Sequence, residues 1–227
     1  MAHATECAKQ FQDGVLITVQ LEGTDAKFFV QKALLCSVSD YFKKALQPTF
    51  KEGKEETLRL PVCNEATFEV FLYWLCHRAL PEELENEDYN PGPQRGEGDQ
   101  VLRHVSHNQR RLVRLWCLAD SYLMPKLQND CMKSLLINFD RNYVGVEVVR
   151  LAAEVAASES MISNVVMSQL AASYHALVYD RHECDYLGAT PGVLLDLVAR
   201  LRRCLPGKGC EYAPEAPSDN DYSEYMV

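Results

Sequence analysis

The strongest constraint on this chain is a change of hydrophobic period close to its start. Across residues 15–21 the side chains alternate, with Ile17, Val19 and Leu21 on one side and Leu16, Thr18 and Gln20 on the other, as a half-buried strand requires. Gly23 and Asp25 mark a turn, and residues 27–31 alternate again through Phe28 and Val30, so the two runs make a hairpin. Beyond the hairpin the period becomes helical. Ser39 caps a helix carrying Phe42, Ala45 and Leu46, Pro48 stops it, and residues 57–60 form a third short strand ended by Pro61. Few strands followed by many helices predict an α+β fold: a small three-stranded sheet, mostly antiparallel, covered by helices.

Asn64 is a good N-cap for a helix in which Phe68, Phe71, Leu72 and Leu75 recur at helical spacing while Val70 and Trp74 occupy another side. A helix apolar on two sides belongs in the interior. Residues 81–100 read differently: seven acidic residues against the single Arg95, with three prolines and three glycines, predict a flexible acidic insertion. Helical periodicity resumes at Leu112, Leu115, Trp116 and Ala119, and Pro125 opens a further helix with Cys131, Met132, Leu135, Leu136 and Phe139. Residues 144–157, 160–179 and 191–205 are three more amphipathic helices. The expected organisation is a flexible N-terminal arm (1–14), a mixed domain (15–140) interrupted at 81–100, a helical extension (141–205) and a disordered acidic tail (206–227).

Charge and cysteine usage remove several classes. The net charge of −9 repels phosphate at long range, so bulk electrostatics will not hold this chain to nucleic acid. Nine cysteines include no Cys-x2-Cys or Cys-x4-Cys pair, which argues against a zinc ribbon. Residues 1–14 hold no apolar leader and no Asn-x-Ser/Thr acceptor occurs, so reduced thiols in cytoplasm or nucleus are expected. The longest uncharged stretch, 160–179, contains Ser163, Asn164, Ser168, Gln169 and Ser173, too polar for a membrane span.

Several stretches taken in order carry a family likeness. They are Phe28-Phe29-Val30-Gln31-Lys32-Ala33-Leu34-Leu35-Cys36-Ser37, Ser39-Asp40-Tyr41-Phe42, Phe50-Lys51-Glu52, Leu58-Arg59-Leu60-Pro61, Phe68-Glu69-Val70-Phe71-Leu72-Tyr73-Trp74-Leu75, Leu118-Ala119-Asp120-Ser121-Tyr122 and Pro125-Lys126-Leu127-Gln128. Their order and spacing resemble the BTB/POZ domain, particularly the short intracellular BTB proteins common in fungi. The resemblance implies the BTB/POZ fold, with a helical C-terminal extension following it here. Two positions depart from the family: Gln31 stands where many members have histidine, and Cys76-His77-Arg78 with the acidic insertion replaces a tight turn.

The resemblance also implies a protein–protein interaction module and no enzyme, one that self-associates or acts as a cullin-type ubiquitin ligase adaptor. In cullin-binding members an apolar-x-Glu motif precedes the third strand. Phe50-Lys51-Glu52 stands in that place, making Phe50 a candidate anchor and Glu52 its charged companion. The alternative at these positions is Phe50 packed under its own loop with Glu52 in water. The alternative function is an oligomeric structural or regulatory scaffold, nuclear or otherwise, with no ubiquitin ligase role.

Arg110, Arg111 and Arg114 form a second candidate, a basic helix face for nucleic acid or an acidic partner, weighed against a solvated face balanced by the acidic insertion. Nucleic acid is not the expected partner. His182-Glu183-Cys184 and the pair His104 and His107 lack further ligands at zinc spacing, so neither a metal nor a cofactor is expected. Cys36, Cys117 and Cys131 sit among apolar residues with no local histidine, and no phosphate-binding loop or hydrolase motif occurs.

Overall fold

The computed structural model describes residues 14–21, 24–61, 63–81, 97–157, 159–175, 179–203 and 226. Residues 1–13 of the N-terminal arm, most of the acidic insertion and all of the tail except Met226 lie outside the described residues. The described chain falls into two compact units, residues up to 83 with Leu118–Asp130, and residues 84–117 with Cys131 onward.

In the first unit the alternating runs form β1 (Leu16–Leu21) and β2 (Lys27–Gln31), paired antiparallel with Thr18 opposite Phe29 and Val19 opposite Phe28. Ile17, Val19, Leu21 and Val30 are buried on the inner face, as the alternation requires. Three short helices follow: α1 (Lys32–Val38), α2 (Asp40–Ala45) and α3 (Lys51–Glu55). They carry the chain across β1, so β3 (Thr57–Leu60) lies on its other edge, giving the order β2-β1-β3. The sheet is therefore mixed, not mostly antiparallel. β3 runs parallel to β1, with Val19 beside Leu58, and so opposite in direction to β2, the strand from which α1 to α3 lead.

α4 (Glu65–His77) is capped by Asn64, whose Oδ1 accepts from the Thr67 N–H at 3.0 Å. Its Phe68 ring lies 4.7 Å from Phe28 of β2, covering the inner face of the sheet. Trp74, at the far end, is buried and its Nε1–H donates to Asp130 at 2.7 Å. That bond satisfies the indole donor that burial would otherwise leave unpaired.

α5 (Glu97–Ser121) and α6 (Pro125–Arg141) meet at a corner in which Leu123 takes a left-handed φ of 53°. Pro125 starts α6, as its missing N–H favours. α5 begins earlier than periodicity alone indicates, and residues 97–100 of the acidic stretch are already helical.

The second unit contains α7 (Val146–Val155), α8 (Met161–His175), α9 (Arg181–Gly188) and α10 (Val193–Arg203). Within it Gln109 is wholly buried and fully bonded. Its Nε2 donates to Asn138 Oδ1 at 2.8 Å and to the Tyr143 carbonyl at 2.9 Å, and its Oε1 accepts from the Gly145 N–H at 3.0 Å. One amide thus fixes the end of α6 and the entry to α7. Arg200 of α10 reaches α8, donating to Ser168 Oγ at 2.8 Å and Asn164 Oδ1 at 2.9 Å while pairing with Asp196 at 3.0 Å.

Candidate functional site

The loop after α2 is built from close backbone approaches. The Phe50 N–H donates to the Gln47 carbonyl at 3.0 Å, and the Phe50 carbonyl accepts from Lys54 at 3.1 Å as the N-cap of α3. A Cβ on Gly53 would drive into the Gln47 carbonyl, so only glycine lets α3 lie this close to the turn. Glu56 then takes a left-handed φ of 49° and its carbonyl accepts from the Thr18 N–H at 2.9 Å, leading the chain into β3.

Phe50 is 51% exposed, so it does not fill its own core, and Glu52 on the same short helix is half-buried. Burying an aromatic ring of that exposure against a partner would gain on the order of 1–2 kcal/mol from area alone. Neighbouring α2 adds Tyr41, exposed at its outer edge and set edge-on to Tyr122 at 5.2 Å. Tyr122 stacks on Phe42 at 5.2 Å, and burial, with smaller contributions from Tyr41 and Cys63, pushes its hydroxyl up to about 12. A rigid aromatic base therefore supports the exposed edge.

The basic candidate belongs to the second unit. Arg110, Arg111 and Arg114 are each half-buried on α5, and Arg110 and Arg114 share a side at i and i+4. Burial lowers the Arg114 pKa, Arg110 adds to the shift and Glu154 opposes it. A half-buried guanidinium has less open charge to offer a phosphate than a solvated one. Arg103 and His104 fall outside the described side chains.

Glu183 closes a capping box with Asp180, accepting from its N–H at 2.9 Å while Asp180 Oδ1 accepts from the Glu183 N–H at 2.8 Å. Among the described residues no three His, Cys, Asp or Glu side chains gather as metal ligands would. Cys63 is buried and its thiol is raised to about 12 by burial, and burial also raises Cys36; both shifts disfavour a thiolate nucleophile. Among the described residues no helix is long and apolar enough to cross a membrane.

Sequence reasoning missed the end of α4. Arg78 caps it with a left-handed φ of 58°, lies over the Trp74 ring at 5.7 Å and donates to Ser37 Oγ at 2.7 Å. Its position four residues after Trp74 was the available signal.

Residues 7–89 match the family model of the BTB/POZ domain. The BTB/POZ domain is a protein–protein interaction module, and the mixed three-stranded sheet with its helices has the α+β BTB architecture. No curated protein matches the chain. The matched segment contains the whole sheet, α1 to α4 and the Phe50-Lys51-Glu52 turn.

Proposed function

We propose that this chain is a non-enzymatic adaptor in cytoplasm or nucleus, whose BTB/POZ domain docks a cullin-type ubiquitin ligase scaffold through its α2–α3 face. The observation that carries this reading is the exposed Phe50 ring at the start of α3, on a turn closely packed at Gly53, with Glu52 two residues on. An exposed aromatic on a fixed backbone is a low-entropy anchor, and a nearby carboxylate can pair with a partner cation or N–H. In this reading the helical extension at 141–205 or the acidic segments carry the surface that receives substrate proteins. Affinity purification with mass spectrometry from the native cell tests it. A cullin scaffold recovered with the unaltered chain and lost with Phe50→Ala, Glu52→Lys is the expected result; equal recovery would overturn it.

A second reading, an oligomeric scaffold without a ligase role, draws on a different surface. Phe29 is 68% exposed on the outer face of the sheet, with Leu16 exposed on the neighbouring strand diagonally across from it. Light scattering separates the two readings: a concentration-dependent mass that reverts to monomer on Phe29→Lys favours the scaffold, and a monomer at all concentrations excludes it.

A further inference from the structure

The second unit holds an open cavity of about 300 Å³ where the end of α6 and the loop after it face α8. That volume is at the lower end of the range for small-molecule sites. The loop side of the cavity is held from behind. The Tyr143 carbonyl accepts from buried Gln109 at 2.9 Å, the Val144 carbonyl accepts from the Tyr179 hydroxyl at 2.8 Å, and Asn142 Nδ2 donates to the Asn138 carbonyl at 3.1 Å. A wall fixed in this way needs no reordering when the cavity fills, which lowers the cost of binding.

The polar groups around the cavity are of both signs. Arg141, exposed at the end of α6, makes no ion pair among the described residues, so its guanidinium is available to a carboxylate. Asp140 lines the same cavity, and there Asn142 Oδ1 and Gln169 Oε1 accept no hydrogen bond from any described residue. Three acceptors beside one guanidinium match an ammonium next to a carboxylate. A phosphate ester would set its two charges against Asp140 with Arg141 alone to balance them, and a polyamine would meet Arg141; a zwitterion opposes neither. Phe139 and Ala172 add apolar surface, and Tyr143, 50% exposed, adds an aromatic ring.

We infer that this cavity binds a free α-amino acid with an apolar side chain. Its carboxylate pairs with Arg141, its ammonium with Asp140 and the amide oxygens of Asn142 and Gln169, and its side chain packs on Phe139 and Ala172 beside Tyr143. The site lies outside the Phe50 surface and its test uses no partner protein, so its failure would leave the cullin reading untouched.

Chemical shifts of the full chain, recorded with each proteinogenic amino acid in turn at millimolar concentration, test this directly. At least one apolar amino acid should move the side-chain amides of Asn142 and Gln169 and the backbone amides of residues 139–143 saturably, leaving β1 and β2 in place. The same compound with its carboxyl amidated, or its amine acetylated, should bind at least about tenfold more weakly, because each change removes a charge-assisted bond. Arg141→Gln, at an exposed position, should weaken the free acid at least about tenfold and make the amidated form its equal. No saturable shift from any amino acid would overturn the inference. So would shifts confined to other parts of the chain, equal binding of the amidated and acetylated forms, or full affinity in folded Arg141→Gln.

Discussion

Ser39 Oγ lies 2.5 Å from the carbonyl of Tyr122, 83 residues further along the chain, and also accepts the Phe42 N–H at 3.1 Å. One buried hydroxyl thus caps α2 and ties it to the corner between α5 and α6. This bond joins the two segments that supply the ring cluster of Tyr41, Phe42 and Tyr122.

Ser39→Ala removes both roles. Loss of the cap costs about 1 kcal/mol and the orphaned carbonyl about as much again, so urea unfolding should show roughly 2 kcal/mol less stability. Ser39→Thr, which keeps the hydroxyl, should lose less than half of that.

Gly53→Ala tests whether the turn is rigid by necessity. Its Cβ meets the Gln47 backbone, which is no flexible side-chain end, so the expected cost is about 1–3 kcal/mol. Partner binding should weaken as well, although Phe50 and Glu52 are untouched. Unchanged stability and binding would mean the turn yields easily.

Gln109→Leu takes the buried amide from the part-buried Gly145 N–H and Asn138 side chain that it bonds. A loss of about 3 kcal/mol is expected in chemical denaturation, with α7 exchanging its amides faster.

These positions differ in how far the sequence announces them. Ser39 and Asn64 are legible because a cap is local chemistry: a small polar residue beside the first periodic apolar position. β1 and β2 are legible because a period of two admits one pairing face. The parallel placement of β3 is not, since strand order depends on where α1 to α3 deliver the chain. α3 has no apolar periodicity in Lys51-Glu52-Gly53-Lys54-Glu55, and α9 announces itself only through Asp180 and Glu183. Gln109 sits in an arginine-rich run, and its burial depends on partners 29 to 36 residues away. The Phe50 motif could be placed by order of elements, but the exposure of its ring is set by tertiary packing that no local pattern encodes.

Alkaline pH provides a further check. Cys63 has its thiol raised from 9.0 to about 12 by burial. Below the unfolded-state value both states hold the proton and the thiol's contribution is fully present. Above it the unfolded chain releases its proton first, so stability falls as pH rises from about 9 towards 12. Tyr122, raised from 10.0 to about 12, acts in the same direction over the upper part of that range. Cys63→Ser, which does not titrate, should flatten the decline between pH 9 and 10. An equal slope in the variant would assign the loss elsewhere.

The central claim is that the exterior of the BTB/POZ domain, at Phe50 and Glu52, does the binding. Calorimetric titration of the folded full chain with a purified cullin scaffold amino-terminal domain measures it most directly. The account predicts saturable binding that Phe50→Ala, Glu52→Lys weakens by at least about 2 kcal/mol, roughly 30-fold, while unfolding stability is kept. No heat with the unaltered chain, or equal affinity in the double variant, would contradict it.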